Sequence, residues 1–203
     1  MEALRYTLLT DGSSDTALMP LIDWLLLQHR PDLLIQPQFA RGLGPVGHAL
    51  NSRLPAALLR YPCDLLFVHR DAEGASAKLR LQEIAEAMSH FDQAYVPIVP
   101  VRMSEAWLLS DSLAIRKAAG NRNGTGELEL PGKARWEHLR DPKQVLERAL
   151  QAASEKSVRR QQRLPLSRQR LQVTEYTDDF SGLRGLPSFD FFESQLVEKL
   201  KDL

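Results

Sequence analysis

The sequence predicts an α/β fold, a mainly parallel sheet flanked by helices, with a helical C-terminal extension. Three observations predict it. Short, dense apolar runs recur at residues 4–10, 33–39, 64–69 and 95–101, and the first and third end abruptly in polar residues, as strands buried on both faces do. Segments of helical spacing follow each run, giving the order β-α-β-α-β-α-β-α of a mainly parallel sheet. Beyond residue 119 the chain turns glycine-rich and then helical and charged.

Taken in order, the first strand spans residues 4–10 and leads into a helix over 16–28. The second, 33–39, is weakened by Pro37, and the helix after it, 46–60, contains Pro55, which is expected to kink or divide it. The third strand, 64–69, precedes a helix over 76–91. The fourth, "YVPIVPV" at 95–101, carries Pro97 and Pro100 and is expected to be an edge or irregular strand. A helix over 104–119 closes a core of residues 1–119. Residues 120–203 form the extension: "GNRNGTGELELPG" reads as a loop or short hairpin, and 136–139, 142–154 and 189–200 read as helices. The last is amphipathic through Phe192, Leu196, Val197 and Leu200.

With 203 residues, 43% of them apolar, the chain suits one domain with a substantial core and a small appendage. Basic and acidic residues number 26 each, so charge exerts no global pull toward nucleic acid or a membrane surface. The single cysteine, Cys63, sits in an apolar run and reads as a small buried hydrophobe. No segment has the pattern of a signal peptide or membrane span, so a reduced, cytoplasmic location is expected.

The acids occupy informative positions. Asp11 follows the first strand in "TLLTDGSSDTAL", Asp71 and Glu73 follow the third in "FVHRDAEG", and Glu105 opens the helix after the fourth in "VPVRMSEAW". In a parallel sheet these ends share one edge, where ligands collect. Asp15 lies four residues past Asp11, so five carboxylates are expected on one rim. Crowded carboxylates repel unless cations neutralise them. Oxygen-only ligation suits a hard cation, Mg²⁺ or Mn²⁺, and phosphodiester hydrolysis is the chemistry such a site supports best. Singly, each acid has a simpler role. Ser13 or Ser14 can cap the first helix with Asp15 favouring its dipole, and Ser104 with Glu105 can do the same at the fourth. His69 and Arg70 can bind phosphate, orient an acid or pair with a neighbouring carboxylate.

These motifs resemble the Toprim fold, the catalytic domain of topoisomerases, primases and the overcoming-lysogenisation-defect nucleases. Asp11-Gly12 stands where the Toprim pattern has Glu-Gly, Ser14-Asp15 matches the extension of the nuclease branch, and Asp71-Ala72-Glu73 stands where the pattern has Asp-x-Asp. Both replacements keep the charge and change the reach by one methylene. "YPCDLLFVHRDAE", "VPIVPVRMSEAWLLSD", "AIRKAAGN" and "DFSGLRGLPSF" also resemble a group of small bacterial proteins with a Toprim-like core. The resemblance implies Asp11 as general base or metal ligand, Asp71 and Glu73 as catalytic acids holding Mg²⁺, and Asp15 helping a second ion. It further implies an ATPase partner and a part in bacterial defence against phage. Glu105 joins the metal set from strand order alone.

The phosphate surface is expected at "SEKSVRRQQRLPLSRQR", where Lys156, Arg159, Arg160, Arg163, Arg168 and Arg170 face Glu155 alone. Such a cluster attracts a nucleic-acid backbone without reading sequence, or serves as a solvated linker or docking surface. Arg70 and Arg102, beside the acids, join the nucleic-acid set, with DNA expected ahead of RNA. The expected function is a divalent-metal-dependent nuclease. The alternatives are a metal-binding interaction module, since Asp11-Gly12-Ser13-Ser14-Asp15 resembles the Asp-x-Ser-x-Ser loop of von Willebrand A-type domains, and a regulatory Toprim-like subunit without catalysis.

Overall fold

A computed structural model describes residues 2–47, 49–72, 76–101 and 104–202. Four strands, β1 (Glu2–Leu9), β2 (Leu33–Phe39), β3 (Leu65–His69) and β4 (Tyr95–Ile98), form an all-parallel sheet in the order β2-β1-β3-β4. The least interrupted apolar runs take the centre: all five residues of β3 are buried. The two runs that carry prolines take the edges. The amide of Ala40 donates to Leu8 and the carbonyl of Ile98 accepts from Arg70. Backbone groups alternate sides along a strand, so Pro37 and Pro97 fall on the phase that points away from the sheet, and neither proline removes a ladder bond. β4 ends at Ile98, short of the expected Val101.

Side chains alternate between two cores. Leu4, Tyr6, Leu8, Leu65, Phe67, Val96 and Ile98 face one, packed by α1 (Met19–His29) and by the helices of the C-terminal segment. Leu9, Leu66, Val68 and Val99 face the other, covered by α2 (Leu50–Arg60) and α3 (Ala77–Met88). Helix α2 begins at Leu50, after the expected Val46, because Gly47 adopts a positive φ of 70° that a helix excludes. Pro55 neither divides nor ends α2. It is the sixth residue, so the bond it omits is to the carbonyl of exposed Asn51 in the first turn.

Two of the expected helices open as 3₁₀ turns, Ser13–Leu18 before α1 and Ser104–Ser110 before α4 (Ser112–Ala118). The C-terminal segment comprises α5 (Pro142–Ala153), α6 (Val158–Gln161), α7 (Leu166–Tyr176) and α8 (Pro187–Lys199). Residues 120–132 form no regular element. Their Gly126 is held by the Glu155 carboxylate at 2.7 Å and by Arg116 at 2.6 Å. The extension shares the core of the sheet. Phe192 of α8 meets Phe67 of β3 edge-on at 6.1 Å and stacks on Trp107 at 6.2 Å, while Phe189 meets Trp107 edge-on at 5.6 Å. Burying each such ring contributes about 1.5–3 kcal/mol.

Cys63 is half-buried beside the second core, and burial pushes its thiol pKa up, which keeps it protonated and unreactive. Among the described residues no helix is long and apolar enough to cross a membrane.

Candidate active site

The carboxyl ends of β1 and β3 deliver the central residues of the site. After β1, the Thr10 hydroxyl donates to the Gly12 carbonyl at 2.6 Å, bending the chain so that Asp11 projects at the rim. Gly12, extended at φ −121°, caps the 3₁₀ turn in place of either serine. The Asp15 carboxylate reaches back to accept from the Gly12 amide at 3.2 Å and lies 3.4 Å from the Ser14 hydroxyl. Asp15 thus closes the turn that presents Asp11.

His69, the last residue of β3, is fully buried between two acids. Its Nδ1 stands 3.6 Å from Asp15 Oδ2 and its Nε2 3.2 Å from Asp71 Oδ1. A carboxylate beside each nitrogen favours the imidazolium, which carries two N–H groups, through charge, although neither contact has hydrogen-bond geometry. Burial alone would lower its pKa, but the contacts with Asp15 and Asp71 outweigh it and raise the value to about 9. Burial likewise opposes Asp15, and His69 with the Gly12 amide overcomes it, so the carboxyl titrates below its ordinary value. Asp71 Oδ1 also accepts the Ser104 amide at 3.2 Å, tying the end of β3 to the turn after β4. Ser104 therefore spends its amide on Asp71, and the cap of α4 is Asp111, which accepts from the Ala114 amide at 2.9 Å.

Asp11 lies against two guanidiniums, Arg70 Nε at 3.0 Å and Arg53 Nη1 at 3.5 Å. Its pKa is nonetheless raised, because partial burial and the Asp15 charge outweigh the arginines. Arg70 continues to Glu83 at 3.2 Å, and Arg80 meets the other oxygen of Glu83 at 2.8 Å. Asp11, Asp15, His69, Arg70, Asp71 and Arg80 line one cleft of about 310 Å³.

Glu105 does not line this cleft. It flanks a narrow recess with Asp15 and Ser167 and is held by Arg170 at 3.1 Å, which also lies 3.7 Å from Glu147. Burial raises the Glu105 pKa against the pull of Arg170. Three of the five expected acids thus share the cleft, Glu105 sits beside it, and Glu73 lies outside the described residues, as does Arg102. Arg159, Arg160 and Arg163, with Lys156 and Arg168, are exposed and form no ion pair among the described residues. Glu155, the one acid in that stretch, is engaged by Gly126. The stretch runs into α7, whose Ser167 and Arg170 border the recess.

Sequence reasoning missed Arg53, Arg80 and Glu83. Each arginine is the fourth residue of its helix, α2 or α3. In a parallel sheet the first turn of a crossover helix returns to the carboxyl edge of the strands, and that placement was the available signal.

Among the described residues no group of three or more His, Cys, Asp or Glu side chains is placed to hold a metal ion. Mg²⁺ commonly takes one or two carboxylates and completes its shell with water and substrate oxygens. Asp71 Oδ2 has no partner among the described residues, and Asp15 Oδ1 has only the weak contact with Ser14. The oxygens on offer fit a hard cation held in this open manner.

No family model, no curated protein and no solved structure matches the chain.

Proposed function

We propose that the protein is a divalent-metal-dependent nuclease of the Toprim type that hydrolyses phosphodiesters in nucleic acid, DNA ahead of RNA. The observation that carries the reading is the cleft in which Asp11, Asp15 and Asp71 meet at the carboxyl ends of β1 and β3, with Asp71 Oδ2 unengaged. Asp71 and Asp15, joined by Glu73 on the resemblance, would hold Mg²⁺ or Mn²⁺, with Glu105 in reserve beside Asp15. When bound, the ion supplies charge neutralisation at the phosphoryl group and at the leaving oxygen.

The chain's own residues do the rest. Asp11 is the most accessible of the cleft's acids, 44% exposed, and its raised pKa suits a carboxylate that takes the proton of the attacking water. Its two guanidiniums fix its orientation. His69 holds Asp15 and Asp71 apart at a fixed spacing and offsets their charge until substrate arrives. The cations of the α6–α7 stretch, Arg159, Arg160 and Arg163 among them, draw in the backbone. An ATPase partner, a part in defence against phage and a cytoplasmic setting belong to the same proposal.

The test is incubation of the pure protein with DNA and RNA in Mg²⁺ or Mn²⁺, beside Asp11→Ala and Asp71→Ala. Cleavage lost in both variants, with folding intact, supports the proposal. Cleavage by neither metal, with or without an ATPase partner, overturns it.

A second reading, a non-catalytic interaction or regulatory module, is favoured by one observation. Asp11, Asp15, Asp71 and Glu105 each already face a protein cation. Metal-independent partner capture without cleavage distinguishes it.

A further inference from the structure

The cleft has two unlike walls. On the side of α1, Asp15 and Asp71 face one imidazolium. On the opposite side the lining holds Arg70 and Arg80 against the single carboxylate Asp11, which leaves that wall cationic; Arg53 and Glu83, outside the lining, pair with these residues. Glu83 bridges Arg70 and Arg80 through separate oxygens and sets the two forks side by side. Both guanidiniums line the cleft, and Arg70 Nη2 and Arg80 Nη2 donate to no acceptor among the described residues, whereas Nη1 of each is turned to Glu83. Donors left open at a cleft wall are free to serve a ligand's oxygens.

We propose that Arg70 and Arg80, backed by Arg53, form a phosphate-binding subsite in the cleft that works without metal. Two adjacent guanidiniums present more donors than one planar carboxylate can accept, and they match a tetrahedral oxyanion with three or four acceptor oxygens. The volume of about 310 Å³ accommodates a phosphate with its attached sugar. The subsite rests on the nuclease reading for the identity of its natural ligand: a phosphate of the bound strand next to the one attacked.

The test is titration calorimetry of the whole protein with inorganic phosphate in EDTA, at an ionic strength fixed with chloride. Saturable binding is expected, weakened at least tenfold in Arg80→Gln. Arg80→Lys, which keeps the charge and loses the fork, is expected to fall between, and it serves if Arg80→Gln does not fold. No binding, or binding undiminished in both variants, overturns the subsite. Phosphate binding without any cleavage overturns the nuclease reading and leaves the subsite standing, so the two failures are separable.

Discussion

His69 and Asp71 stand on either side of the end of β3 and contact each other at 3.2 Å, Nε2 to Oδ1, so the strand terminates by folding its own acid back onto its last residue. With Asp15 on the opposite nitrogen, the ring acts as a fixed internal cation. A pKa of about 9 against an ordinary 6.5 means that the folded state binds this proton more tightly than the unfolded chain. The stabilisation is complete below pH 6.5 and is lost as pH rises through about 9. By linkage it amounts to on the order of 3 kcal/mol. Denaturant melts from pH 6 to 9.5 are expected to show that decline in the wild type and to lack it in His69→Gln. The substitution itself is expected to cost about 3–5 kcal/mol at pH 7, since two acids lose their shared counter-charge.

Asp11 is one methylene shorter than the glutamate of the Toprim pattern that the sequence resembles. Asp11→Asn is expected to lower cleavage by about 10²–10⁴-fold, the usual value of a positioned base, with little change in melting temperature. Asp11→Glu is expected to retain activity, because the added methylene restores the side chain that the pattern carries. Single-turnover rates on one DNA substrate decide the matter.

Arg170 couples the extension to the rim. Replacing it with Met strands Glu105 in a recess where its side chain is only 14% exposed. A loss on the order of 3 kcal/mol is expected at pH 8. The loss is expected to shrink toward pH 5, because Glu105 already titrates above its ordinary value and protonates more readily once the guanidinium is gone. Chemical denaturation at the two pH values checks both the size and the sign.

The exposed arginines of α6 and the turn after it make no ion pair among the described residues, so removing them has no structural cost there. The triple replacement of Arg159, Arg160 and Arg163 by Ala is expected to leave the melting temperature unchanged. It is expected to weaken DNA binding on all sequences alike and to reduce the slope of log K against log salt by about 2–3. Fluorescence anisotropy across a salt series measures that slope.

Phe192 joins the extension to the sheet through Phe67 and Trp107. Phe192→Ala is expected to cost about 3–5 kcal/mol. Melting followed at both a sheet probe and an α5 probe is expected to remain a single shared transition.

The strands were legible because each central one is a dense apolar run, and the edge position of β4 was legible because proline has no donor to contribute; Pro37 weakened β2 in the sequence without assigning it the other edge. Strand order also foretold the meeting of Asp11, Asp15 and Asp71. The counter-charges were harder to foresee. His69 and Arg70 stood beside the acids in sequence, but their alternative roles differ only in where the side chains turn. Arg80 was passed over although α3 starts one residue from its expected place, whereas Arg53 comes from a helix whose start was placed loosely: α2 was expected four residues too early because a helical spacing of apolar residues continued through Gly47, whose φ is positive. An error of one turn at a helix start moves a side chain away from the rim. Glu105 was read as part of the metal set because nothing in its neighbourhood announced Arg170, 65 residues away.

The outward-facing prolines of β2 and β4 have a consequence for the protein in a crowded solution. A sheet's margins are where a neighbour's strand can add itself, by meeting a row of free amides. Here each margin has a gap in that row, at Pro37 on one side and Pro97 on the other. The sheet is thereby discouraged from extending into a second molecule, and self-association at high concentration is directed away from strand-to-strand growth.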